Sequence, residues 1–104
     1  MERGEIWWAD LPKPVGRRPV VLISRTRAIQ IRDEVTAAHV TSRIRSIPTE
    51  VPLGPEDGLP KACVVNLDVI NTIPKRLLSA RVGVLAPEKI GDLNAALRFS
   101  LGLD

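Results

Sequence analysis

The sequence predicts a small, mainly β domain. Five to seven short antiparallel strands form a strongly bent sheet or open barrel, and one C-terminal α-helix packs on it. Three observations lead there. Short apolar segments recur up to residue 86, each cut off by Pro, Gly or charged turn residues. Only the stretch 87–102 switches to helical spacing. The chain has 104 residues, enough for one domain, and its 44% apolar content supplies one modest core.

In chain order, "GEIWWADL" (4–11) is aromatic and apolar, is stopped by Pro12 and Pro14, and reads as a strand. "RPVVLISR" (18–25) reads as a second, with Pro19 acceptable at a strand start or on an edge. The short connection "PKPVGR" favours an antiparallel pair. "TRAIQIRD" (26–33) fits a loop or a helical turn, and "EVTAAHVTS" (34–42) is a third strand. "TEVPL" (49–53) is a short fourth, and "GPEDGLP" (54–60) is turn-rich. "ACVVNLDVINTI" (62–73) is a strand interrupted near Asn66 or Asp68, and "LLSARVGVLA" (77–86) is another strand. In the final segment Ile90, Leu93, Leu97 and Leu101 recur at helical spacing. Pro87 suits the first helical turn and Gly102 the stop.

Composition excludes several classes. No apolar run is longer than four residues, Val20–Ile23 among them, far too short to span a membrane. "MERGEIWWADL" has no signal-peptide pattern, and the single cysteine, Cys63, fits a reducing compartment, so a cytoplasmic protein is expected. One histidine and one cysteine argue against a His/Cys metal site, and no metal or other cofactor is expected. No phosphate-binding loop, dinucleotide fingerprint or nucleophile elbow is present.

Charge is unevenly spread. From Lys13 to Thr49 eight basic residues face two acidic ones, whereas the remainder carries seven basic and ten acidic residues. Eleven of the fifteen cations are arginine, the side chain suited to planar phosphate recognition. A basic half on a small domain points to a polyanion, with a merely solvated face as the other reading.

Two constellations stand out. Strand alternation puts His39 and Thr41 on one face and Ala38 and Val40 on the other, with Ser42, Arg43 and Arg45 just beyond. That set is either the wet side of a half-buried strand or one wall of a phosphate site. Imidazole moves protons near neutral pH, a hydroxyl donates to a phosphoryl oxygen, and arginine stabilises charge that grows there. The Trp7–Trp8 pair splits between two faces. The outward ring stacks on a base or fills a dimer interface, unless both are buried in packing. Asp33–Glu34 and Glu56–Asp57 read as solvated turn residues, and Cys63 as core.

The whole chain resembles the MazF/PemK family of toxin endoribonucleases from bacterial toxin–antitoxin modules. The resemblance rests on "RGEIWWADL", "GRRPVVLIS", "VTAAHVTSRIRSIPTEVPLGPEDGL", "CVVNLDVINTIPKRLL" and "IGDLNAALRFSLGL", in that order. Each segment alone is weak, and five in order are not. The resemblance implies an SH3-like barrel of the MazF/CcdB kind that dimerises and cuts single-stranded RNA at short sequences without metal. It also implies a cognate antitoxin whose extended C-terminal segment covers the RNA groove. It places the catalytic arginine at Arg18, the catalytic threonine at Thr41, and an acidic base-reading position at Asp68 in "VNLDVI". With the basic residues around them, Arg17, Arg43, Arg45, Ser24 and Trp8 are expected on the RNA.

Two departures matter. The family's longer first loop, of the form "GSEQGG", is cut here to "KPVGRRP", and no carboxylate lies between Asp10 and Asp33. His39 stands two residues before Thr41, where the family has no invariant histidine, and is expected to supply the acid or base that the short loop lacks. A non-enzymatic RNA-binding barrel or decayed toxin is the first rival. A gyrase poison like the CcdB branch is the second, although its Trp-rich tip has no counterpart in "LGLD".

Overall fold

Six strands pair edge to edge in one antiparallel sheet in the computed structural model, which describes residues 1–103. They are β1 (Glu5–Asp10), β2 (Arg17–Leu22), β3 (Glu34–Thr41), β4 (Glu50–Leu53), β5 (Cys63–Pro74) and β6 (Leu78–Val84). Their order across the sheet is β4-β5-β3-β2-β1-β6, and the sheet curls into a half-barrel. Two helices complete the chain: α1 (Thr26–Ile31) between β2 and β3, and α2 (Pro87–Leu101) at the C-terminal end. None of the described helices is long and apolar enough to cross a membrane.

The period of two explains how the core is divided. Val21, Ala38, Val40 and Val65 point to one face, where Leu93 and Ala96 of α2 cover them. Val20, Leu22, Val35, Ala37 and Ile73 point to the other, under Ile29 of α1. The centre of β2 is therefore buried on both faces, and its sequence is an unbroken "VVLI" rather than an alternation. Each fully buried aliphatic side chain stabilises by about 1.5–3 kcal/mol relative to exposure. The stretch left open between loop and helical turn is a helix of six residues, because Ala28 and Ile29 both have a core to enter.

Where the rows run out of apolar residues, charge and polarity begin. Arg18 continues the row of Val20 and Leu22, and His39 and Thr41 continue the row of Val35 and Ala37. The β1–β2 connection is tight: Leu11 N–H donates to Gly16 O at 3.2 Å, and Gly16 takes φ 71°. That left-handed turn, easy for glycine, sets Arg17 and Arg18 at the strand mouth.

The interruption expected in the fifth strand is a slip rather than a break. His39 pairs with Asn66, yet the preceding residue, Ala38, pairs with Ile70. Residues 67–69 thus bulge out of the ladder while the strand runs on. Leu67 is fully buried under α2, which gives the bulge an anchor. Helix α2 begins at Pro87 and ends at Gly102 with φ 71°. There the Gly102 and Leu103 amides donate to the Phe99 and Arg98 carbonyls, a glycine stop. Lys89 Nζ, 2.6 Å from Asp57 Oδ2, ties the helix to the loop after β4.

Candidate active site

Val20 pairs with His39 across β2 and β3. Carried two positions further, the same register sets Arg18 opposite Thr41. On its other side Arg18 pairs with Ala9 of β1, whose small side chain crowds nothing. Arg18 is half-buried, and its Nε is buried with no hydrogen-bond partner. Among the described residues the ion pairs engage only Arg17, Arg81 and Lys89, so no carboxylate neutralises Arg18, Arg43 or Arg45. A desolvated cation without a counter-charge is a receptor for an anion. Thr41 Oγ1 accepts the Arg43 N–H at 3.2 Å, which leaves the hydroxyl proton to donate outward.

Arg18 and Thr41 line two hollows at once. The first, about 180 Å³, is basic and polar: His39, Arg43, Arg45, Asn66 and Val69 surround it. The second, about 220 Å³, is largely apolar, with Trp8, Pro19, Val40, Leu59 and Cys63 among its lining and Arg17 and Lys61 adding charge. A phosphate at the shared wall would have an apolar base-sized space on one side and three arginines on the other. Glu50 holds the segment that carries two of them. Its Oε1 accepts the Arg45 and Ser46 amides at 2.9 and 3.0 Å, and Ser46 takes φ 56°. Burial pushes the Cys63 thiol above its ordinary range, with repulsion from Asp57 and Glu56 adding to it. Cys63 is therefore a wall of the hollow and not a nucleophile.

The structure brings Arg18, Thr41, His39, Arg43, Arg45 and Trp8 together. Arg17 faces the other side of β2 from Arg18. Its Nη1 lies 3.2 Å from Ser79 Oγ and 3.5 Å from Asp10 Oδ1, and its guanidinium sits 5.0 Å from the Trp8 ring centre. The tryptophans divide: Trp7 packs on the second core cluster with Nε1 donating to Glu5 Oε1 at 2.9 Å, and Trp8 lines the apolar hollow.

Two expected RNA contacts lie elsewhere. Ser24 lies past the end of β2, six residues from Arg18, roughly 20 Å if the chain were extended. Its Oγ accepts the Thr36 amide at 2.8 Å and ties β2 to β3. Asp68 sits in the β5 bulge and accepts from Ser100 Oγ of α2 at 2.8 Å, and its neighbours Asn66 and Val69 line the basic hollow instead. Sequence reasoning missed Asn66, Asn71 and Glu50. The available signal was two asparagines inside a strand, where that residue is otherwise depleted.

A family model described as "PemK-like, MazF-like toxin of type II toxin-antitoxin system" matches residues 2–101. A probable endoribonuclease MazF5 of Mycobacterium tuberculosis is 36% identical over 100 residues, covering 95% of this chain and 91% of the relative. An endoribonuclease MazF of Staphylococcus saprophyticus is 35% identical over 112 residues, covering 99% and 92%. Among solved structures, a mycobacterial endoribonuclease in complex with its cognate antitoxin superposes with a TM-score of 0.89 at 33% identity. That match covers 100% of this chain and 97% of the other. With the family's segments all present and the fold superposing along the whole chain, this protein belongs to the PemK/MazF family of toxins of type II toxin–antitoxin systems.

Proposed function

We propose that this chain is an endoribonuclease toxin that cuts single-stranded RNA at short specific sequences, without metal, as a homodimer in the cytoplasm. A cognate antitoxin, of the kind bound in the mycobacterial complex, holds it in check. The observation that carries the reading is that an uncompensated, half-buried Arg18 and the Thr41 side chain line the same two hollows.

The chemistry follows from what those groups do. The 2′-oxygen attacks the adjacent phosphorus in line, and the 5′-oxygen leaves. The products are a 2′,3′-cyclic phosphate and a 5′-hydroxyl. Charge accumulates on the non-bridging oxygens of the pentacoordinate phosphorus. The Arg18 guanidinium neutralises it and the Thr41 O–H donates to it, each worth roughly 3–4 kcal/mol when well aimed. Arg17, Arg43 and Arg45 track the flanking phosphates, and His39, inside the basic hollow, exchanges the proton.

Incubation with a long RNA in EDTA, followed by primer extension, tests the reading. Discrete cuts are expected, and Thr41→Ala should slow them by about 10²-fold. Binding without any cut would favour a non-enzymatic RNA-binding module. Inhibited supercoiling without RNA cleavage would favour a gyrase poison.

A further inference from the structure

His39 is 9% exposed, yet it lines the basic hollow. A buried imidazole needs its polar atoms met. Its Nε2 lies 2.9 Å from Asn71 Oδ1 of β5. Asn71 pairs with Ala37, two residues before His39 on the same face, so its amide reaches the ring as a diagonal neighbour. The bulge makes this contact. Counting on from the His39–Asn66 pair without a slip would set Asp68 opposite Ala37. The extra residues 67–69 carry that carboxylate away toward Ser100 and bring a neutral amide in its place.

A neutral carbonyl acceptor has a definite consequence. It accepts the Nε2 proton whether or not Nδ1 carries one, so the ring keeps its orientation when Nδ1 takes up a proton. The nitrogen that gains and loses a proton is then Nδ1. The other charged groups around the ring are Arg18 of β2 and Arg43 and Arg45 after β3. On β4, Glu50 accepts the Arg45 and Ser46 amides through Oε1 while its Oε2 is buried without a hydrogen-bond partner, and on β5, Asp68 accepts from Ser100 through Oδ1.

We propose that Asn71 is a positioning residue that holds His39 through Nε2–H and leaves Nδ1 to take the proton of the attacking 2′-hydroxyl. The assignment rests on the endoribonuclease reading above. As the 2′-oxygen bonds to phosphorus, its proton passes to Nδ1. The P–O5′ bond breaks with its electron pair on the 5′-oxygen, which takes a proton from water. The hydroxide so formed is neutralised when the imidazolium releases its proton.

His39 is the only histidine of the chain, so its ring can be followed alone in a 15N-labelled sample. Ring nitrogen–proton correlation spectra across pH are measured for the wild type, Asn71→Ala and Asn71→Asp, alongside RNA cleavage. The neutral wild-type ring should carry its proton on Nε2, and Asn71→Ala should give a mixture of tautomers. Asn71→Asp adds a carboxylate that favours the cation, so the titration midpoint should rise by about one pH unit or more. The rising limb of kcat against pH should move with it. Asn71→Ala should lower kcat by about 10–100-fold with little change in KM, since a ring no longer held loses part of the roughly 10²–10⁴-fold that a positioned acid–base group supplies. Asn71 is exposed, so these variants should fold. A wild-type ring protonated on Nδ1, or a midpoint unmoved in Asn71→Asp, overturns the Asn71 assignment and leaves the endoribonuclease reading standing. Cleavage by His39→Gln at the wild-type rate and pH profile removes His39 from the reaction, and the Asn71 role with it. No cleavage by any form, wild type included, overturns the endoribonuclease reading itself.

Discussion

Arg18→Ala should lower the rate of RNA cleavage by about 10²–10³-fold or more, while Arg17→Ala should mainly weaken RNA binding. The two arginines are neighbours in sequence and leave β2 on opposite faces, although both border the apolar hollow. Arg18 stands on the face that carries His39 and Thr41, lines both hollows, and has a buried Nε without a partner. Nothing else in the described residues takes up its charge, so its removal strips the phosphate of its central counter-charge. Arg17 is already engaged by Asp10, Ser79 and the Trp8 ring, and it is exposed. Exposed pairs of that kind are worth little, and Arg17 is expected to add one phosphate contact among several. Its loss should raise KM and make log K fall less steeply with log salt, by roughly 0.7 for a single strand. Single-turnover cleavage and filter binding at several salt concentrations separate the two effects. Loss of chemistry in Arg17→Ala, with only weaker binding in Arg18→Ala, would show that the other face of β2 carries the reaction.

The largest effect on stability is expected at Leu93. This side chain is 0% exposed and carries α2 onto the face formed by Ile6, Val21, Val51, Val65 and Leu67. Leu93→Ala removes buried methyl groups and leaves a space that β4 and β5 cannot fill by collapse, since both are held in the ladder. Such changes cost about 2–5 kcal/mol. A domain of this size has about 5–15 kcal/mol in total, so Tm should fall by on the order of 10 °C or more. Asp92→Ala, one residue away and exposed, should stay within about 0.5 kcal/mol. Urea denaturation measures both. A cost below about 1 kcal/mol for Leu93→Ala would mean that α2 is not anchored where it lies.

The strands and the terminal helix were legible because each follows from local pattern. Pro12, Pro14 and Gly16 stop and turn the first hairpin, and the alternation through "EVTAAHVT" put His39 and Thr41 on one face before any pairing was known. The Arg17–Arg18 contrast was legible for the same reason, since adjacent strand residues cannot share a face. What local pattern lacks is register and length. Ser24 has the right parity to join Arg18, but parity says nothing of distance along the strand. Asp68 matched an acidic segment, but where a bulge points depends on the partner strand and on Ser100 arriving from α2. The same bulge hid Asn71, whose contact with His39 exists only because the ladder resumes three residues late. The site's arginines could be found by composition, whereas the residues that hold them in place could not.

The most direct measurement is the chemistry of the cut ends. A short RNA containing a mapped site is cleaved in EDTA, and the fragments are weighed by mass spectrometry, beside the same RNA carrying a single 2′-deoxynucleotide 5′ to the cut. The expected result is an upstream fragment ending in a 2′,3′-cyclic phosphate, a downstream fragment beginning with a 5′-hydroxyl, and no cleavage of the deoxy-substituted strand. A 3′-hydroxyl with a 5′-phosphate, or cleavage that survives the 2′-deoxy substitution, would contradict attack by the 2′-oxygen at the Arg18–Thr41 wall.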